Sequence, residues 1–192
     1  MNLLHRWICA SGVWEKHVRT TLLPWALDGL DFSDSVLEIG PGYGRATDIL
    51  RVRASRLTCV EVDRELAQSL ARRMAGTNVT VLQADGARMP LRDGAFGAVL
   101  CFTMLHHVPS PSLQDALLAE VARILRPGGI FAGTDSVYSG LFGLIHIGDT
   151  MVMVDPKTFP RRLSNAGFTG IQVDTGHRAF RFRAHAPDRP HS

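Results

Sequence analysis

Apolar positions along this chain follow two patterns. Short runs rich in apolar residues, at residues 36–39, 56–63, 79–86, 96–102, 130–135, 170–175 and 179–184, predict strands, five of them stopping at an acid or a glycine. Between them, three- and four-residue apolar steps predict helices over 46–53, 64–74, 113–125 and 156–166. The same period links Leu3, Leu4, Trp7, Ile8, Trp14, Val18, Leu22, Leu23, Trp25 and Leu27 into one or two helices across residues 1–32, with Pro24 as a break. Arg126-Pro127-Gly128-Gly129 reads as a helix stop and turn before the fifth strand. Residues 136–155, with Gly140, Gly143 and Gly148, read either as an apolar loop lining an acceptor pocket or as a core-packing helix with loose turns. One domain over residues 1–184 and a disordered tail over 185–192 are expected.

The sharpest signal is Val36-Leu37-Glu38-Ile39-Gly40-Pro41-Gly42-Tyr43-Gly44-Arg45, a strand running into three glycines at alternate positions. Glycine reaches φ values closed to other residues and lets a ligand approach the backbone, and a helix from Ala46 would place the loop's N–H groups at a helix N-terminus. Alone, the loop is equally a plain tight turn. The dinucleotide pattern Gly-x-Gly-x-x-Gly is not met, because Arg45 stands where its third glycine belongs. A carboxylate at Glu38 would repel a phosphate and attract a cation.

Two further strands end in acids. Glu61 lies 23 residues beyond Glu38, near the interval at which an acid accepts from ribose hydroxyls, while Asp63 suits the N-cap of the helix that follows. Asp85 can accept from an adenine amine with the Gly86 N–H donating to the ring, or can simply initiate a turn.

Composition narrows the setting. The 192 residues are 45% apolar with a mean hydropathy of +0.05, enough for one full core, and no run reaches the roughly 18 apolar residues of a membrane helix. His5 and Arg6 interrupt the N-terminal apolar residues, so no signal peptide is read and a cytoplasmic protein without a membrane partner is expected. The net charge of +3 is carried by scattered arginines, which suits a solvated surface better than a nucleic-acid track. Cys9, Cys59 and Cys101 read as reduced thiols.

With Glu38-x-Gly-x-Gly-x-Gly, the pair Asp85-Gly86, Leu105-His106-His107-Val108 and Arg126-Pro127-Gly128-Gly129, the chain resembles the class I S-adenosylmethionine-dependent methyltransferases, particularly those of ubiquinone and menaquinone biosynthesis and their small-molecule relatives. The resemblance implies an α/β fold, a doubly wound, Rossmann-like, seven-stranded and mostly parallel sheet with a C-terminal antiparallel hairpin and helices on both faces. It implies S-adenosyl-L-methionine as donor and S-adenosyl-L-homocysteine as product, held by Glu38, Gly40, Gly42, Gly44, Glu61, Val62, Asp85, Gly86 and Phe102. The segment before the first strand, often a cofactor cover in that family, is a candidate lid. Gly97 departs from the family, which commonly has an acid there.

Methyl transfer from a sulfonium is an in-line displacement that needs no metal, and His106 or His107 is the candidate general base. Adjacent histidines on an extended segment would point to opposite sides, which argues against a shared metal. The resemblance implies a small-molecule acceptor attacking through O, N or activated C. It argues against nucleic acid, since Phe102-Thr103-Met104-Leu105 replaces the Asn/Asp-Pro-Pro-aromatic element of nucleobase amino methyltransferases. The alternatives are an inactive nucleoside-binding module and, against the glycine spacing, a nicotinamide-dependent oxidoreductase.

Overall fold

The computed structural model describes residues 2–32 and 34–187. The seven predicted runs form strands β1 (Ser35–Ile39), β2 (Arg56–Glu61), β3 (Val79–Gln83), β4 (Phe96–Phe102), β5 (Leu125–Ser136), β6 (Thr169–Thr175) and β7 (Ala179–His185). They make one sheet in the order β3-β2-β1-β4-β5-β7-β6. The first five strands pair in parallel, and β7 runs antiparallel between β5 and β6. This is the expected doubly wound sheet with its terminal hairpin.

Because β1 and β4 are covered on both faces, alternate residues enter separate cores. Leu37, Ile39, Val99 and Cys101 pack with Leu117, Leu118 and Val121 of the helix Pro111–Ile124 and with Phe159 and Leu163. Val36, Ala98 and Leu100 pack on the other face with Leu22, Leu23, Leu50 and Leu70. Full burial of each such leucine or phenylalanine contributes about 1.5–3 kcal/mol.

The helices are α1 (Leu3–Ala10), α2 (Gly12–His17), α3 (Leu23–Ala26), α4 (Thr47–Leu50), α5 (Arg64–Arg73), α6 (Pro111–Ile124), α7 (Gly140–Ile145) and α8 (Phe159–Asn165). Pro24 does not break the N-terminal helical segment. A π turn at Val18–Leu22 leads into it, with the Leu23 N–H on the Val18 carbonyl, and the widened turn accommodates a ring that would clash in regular helix. The break falls at Ser11, whose hydroxyl accepts from the Trp14 N–H. The side chains of Leu3 and Leu4, part of the predicted stripe, lie outside the description.

Three other expectations change. Leu125 pairs with Phe96 but Ile130 pairs with Ala98, so Arg126-Pro127-Gly128-Gly129 bulges within β5 instead of separating helix from strand. A Cβ on Gly97 would stand 2.8 Å from Arg126 Nη2, which crosses there to donate to Asp34 at 2.6 Å. A side chain at this position would have to displace the guanidinium end of Arg126. Within residues 136–155, residues 140–145 form α7, leaving Leu144 and Ile147 exposed. Finally, β7 runs through His185 and the buried Ala186 donates to the Gly129 carbonyl, so order extends into the expected tail; residues 188–192 lie outside those described. Among the described residues no helix is long and apolar enough to cross a membrane.

Candidate active site

In this sheet order, β1 lies between β2 and β4, the point where connections leave in opposite directions and where α/β sheets open a crevice beyond their strand ends. The loop after β1 carries Gly40, Gly42 and Gly44 at φ 66°, 54° and 72°, all in the left-handed region that favours glycine. Their surroundings differ. A Cβ on Gly44 would lie 2.2 Å from Arg73 Nη2 and 2.5 Å from Leu70 Cδ1, so this glycine seats the loop on α5. A Cβ on Gly40 would lie 3.0 Å from Met104 Cβ, so Met104 packs on this glycine, whereas Gly42 has open space at its Cβ position.

Glu61 ends β2 and ties the loop down. Its Oε2 accepts from the Gly42 N–H at 2.9 Å and its Oε1 from the Asp63 N–H at 3.0 Å. Burial raises its pKa, and the backbone donors of Asp63 and Gly42 pull it back. Asp63 caps α5, accepting from Glu65 and Leu66 N–H groups, as its spacing predicted. Asp85 is exposed and accepts from the Ala87 N–H, so the turn-initiating reading holds, with the rest of the carboxylate open. A Cβ on Gly86 would meet Leu117 at 3.0 Å and Ile39 at 3.3 Å. Val62 is 66% exposed at the crest, whereas Phe102 is buried in the core on the N-terminal helices' side.

Glu38 differs from its predicted placement as an open attractor of a cation. The β1 alternation sends Leu37 and Ile39 to one face and Glu38 to the other, beneath α4, where it is 2% exposed. Its Oε2 accepts from the Thr47 hydroxyl at 2.6 Å and from the Cys59 thiol at 3.5 Å. Burial lifts its pKa to about 7 against the pull of the Thr47 hydrogen bond, so near neutrality much of its charge is absent.

The other side of the crevice is built by β4 and β5. Thr103 takes a left-handed φ of 50°, uncommon for a β-branched residue, and its N–H donates to the Thr134 carbonyl. A 3-10 turn at Leu105–His107 follows. Asp135, wholly buried near the end of β5, accepts the His106 N–H at Oδ2 (2.9 Å) while Oδ1 lies against His106 Nδ1. Gln114 of α6 pins the turn through the Leu105 and Val152 carbonyls. The turn also overturns the expectation that His106 and His107 point apart, since their ring centroids lie 4.2 Å from each other. His146, just past α7, joins them at 5.3 and 5.5 Å. Asp135 and His146 were missed in the sequence, although Asp135 repeats the strand-terminal acid already noted at Glu61.

The N-terminal helices reach the glycine loop. Arg45 pairs with Glu15 at 2.7 Å and donates to the Ala10 carbonyl, and Arg6 pairs with Glu65 of α5.

A glycine loop, acids at successive strand ends and a hairpin-terminated sheet define a class I methyltransferase fold. Residues 37–133 match the family described as Methyltransferase domain, half of the 192 residues, and the chain belongs to it. Its similarity to a ribosomal RNA small subunit methyltransferase A of Desulfitobacterium hafniense is 28% identity over 141 residues, 65% of this chain and 50% of that protein. A fatty-acid O-methyltransferase of Mycolicibacterium smegmatis is 34% identical over 103 residues, 53% of this chain and 36% of that one. The chain thus spans about half or less of the length of these relatives. A chain from the complex between the Haloferax volcanii Trm112 methyltransferase activator and a methyltransferase shares the fold, with a TM-score of 0.77 at 17% identity over 97% of this chain and 99% of that one.

Proposed function

We propose that this chain is an S-adenosylmethionine-dependent methyltransferase acting on a small molecule. The observation that carries the reading is the buried Glu61 carboxylate, presented at a strand end and bonded to the Gly42 N–H of a loop whose three glycines are all left-handed. A carboxylate oxygen has lone pairs to spare beyond one N–H, so Glu61 can hold the loop and accept ribose hydroxyls together. Val62 offers an exposed apolar face for adenine, with Asp85 and the Gly86 N–H at its edge. Gly42, with open space at its Cβ position, leaves backbone room for the amino-acid end. Gly44, Glu38 and Phe102 support this cradle from beneath, and the N-terminal helices, latched by Arg45 to Glu15, cover it.

Bound S-adenosylmethionine supplies an electrophilic methyl group. The protein has to align an acceptor with that methyl, keep water out and take up the acceptor's proton. His106 is the base this geometry favours over His107. Asp135 receives its Nδ1–H, which fixes the tautomer and leaves Nε2 to take the proton.

Similarity to a fatty-acid O-methyltransferase supports a small acceptor, as does the apolar segment around α7. A second reading, RNA as acceptor, is favoured by similarity to a ribosomal RNA methyltransferase. Titration with S-adenosylhomocysteine should give micromolar binding that Glu61→Ala and Asp85→Ala weaken, and no binding would overturn the proposal. Methyl label should then enter the small-molecule fraction of an extract; label in RNA would instead establish the second reading.

A further inference from the structure

We propose that His106, His107 and His146 form a binding site for one divalent transition-metal ion, zinc by the chemistry of its donors. One ring nitrogen from each residue lies within 4.8 Å of the others, and among the described residues this is the one such set of three or more. His106 and His146 are buried and His107 is half-buried.

Hydrogen bonding orients the rings. A backbone carbonyl can only accept, so the contact of 2.7 Å between His146 Nδ1 and the Phe142 carbonyl places the proton on Nδ1 and a lone pair on Nε2. The His106 Nδ1 contact with the buried Asp135 carboxylate does the same for His106. Both are the arrangements by which proteins present imidazole to a metal, with the second nitrogen donating to a carboxylate or carbonyl. Two rings are therefore set with their ligating atoms away from their anchors, and Asp135 adds negative charge behind the first. Phe142 packs on His146 at 4.1 Å between centroids and meets His106 edge-on at 5.2 Å, giving the site an apolar wall.

Three imidazoles suit zinc and its neighbours better than magnesium or calcium, which take oxygen donors. Zn–N bonds of about 2.0–2.1 Å in a tetrahedron require the nitrogens to draw closer than 4.8 Å, within reach of small side-chain rotations. Three histidines leave the fourth position open, the pattern of a site that receives water or substrate. The three rings themselves follow β4 and β5, on the side of the sheet where the proposed acceptor would sit. Metal binding itself stands on this geometry alone. Its use, lowering the pKa of an acceptor hydroxyl, rests on the methyltransferase reading, and the base role of His106 then belongs to the metal-free protein.

The test is equilibrium dialysis of chelator-treated protein against zinc chloride, with cobalt(II) absorption as a spectroscopic report of coordination. Wild type should bind one zinc per chain and give the intense visible bands of a tetrahedral cobalt site. His146→Phe keeps an aromatic ring against Phe142 but cannot ligate, and should lose at least about 100-fold in affinity; His107→Gln, at a half-buried position, should lose as much. Asp135→Asn should lose about 10–100-fold. Failure of the wild type to bind zinc, or wild-type affinity in either histidine variant, would overturn the site. S-adenosylhomocysteine titration of the same samples separates the two proposals, since zinc binding and nucleoside binding can each fail while the other persists.

Discussion

The two banks of the crevice are made differently. On the β1–β2 bank, almost every feature comes from consecutive residues, a strand, three left-handed glycines and a second strand whose last residue reaches back to the loop. On the β4–β5 bank, His106 and His107 meet Asp135 and His146 only because two strands, a 3-10 turn and α7 converge. The first bank demands particular backbone geometry and tolerates little change in it. The second demands particular side chains on a scaffold that many sequences could supply.

That contrast predicts that the backbone geometry and buried Glu38 of the first bank should break through stability, whereas its Glu61 carboxylate should break through binding and the second bank through chemistry. The largest effect is expected from Gly44→Ala, which combines left-handed strain with a collision against Arg73 and Leu70. A loss of about 3 kcal/mol, or roughly 8 °C in Tm, should appear in thermal unfolding.

Glu38→Gln should reveal a pH-dependent term of similar size. With a folded pKa of about 7, above the unfolded value near 4.5, the native state holds the extra proton between these values. Wild-type stability should therefore fall as pH rises through that window, by up to about 3 kcal/mol. Urea titrations at pH 5 and pH 8 should show the variant gaining on wild type by that order, and equal curves would place the carboxylate in a wetter site than its burial shows.

Glu61→Ala removes both a proposed ribose acceptor and the anchor of Gly42. S-adenosylhomocysteine affinity should drop about 100-fold, equivalent to roughly 3 kcal/mol, with a smaller change in Tm. The smallest effect belongs to Glu15→Ala. Losing the partly exposed pair with Arg45 should cost about 0.5 kcal/mol, a twofold weakening of the same binding. Deleting residues 1–20 should weaken binding more than it lowers Tm if the segment is a cover, and the reverse ranking would make it a packing element.

Much of the molecule was readable in one dimension. Strand count, the Asp63 cap and the terminal hairpin follow from local pattern, because strand periodicity, turn chemistry and capping act within a few residues. The loop glycines were readable for the same reason, although Gly44 serves packing on α5. Glu38 was not, since whether a strand-end acid meets solvent or a helix depends on what covers that face. Pro24 misled because a π turn far from any sequence signal absorbs it.

What the sequence determined by itself is the class of the protein and the bank of the crevice written in consecutive residues. Only the tertiary structure decided that Glu38 is buried beneath α4, that Asp135 orients His106, and that His146 completes a group of three imidazoles. Backbone propensities are settled within a turn or a strand, whereas the meeting of side chains 40 residues apart is settled by how strands and helices pack, and no local pattern encodes that.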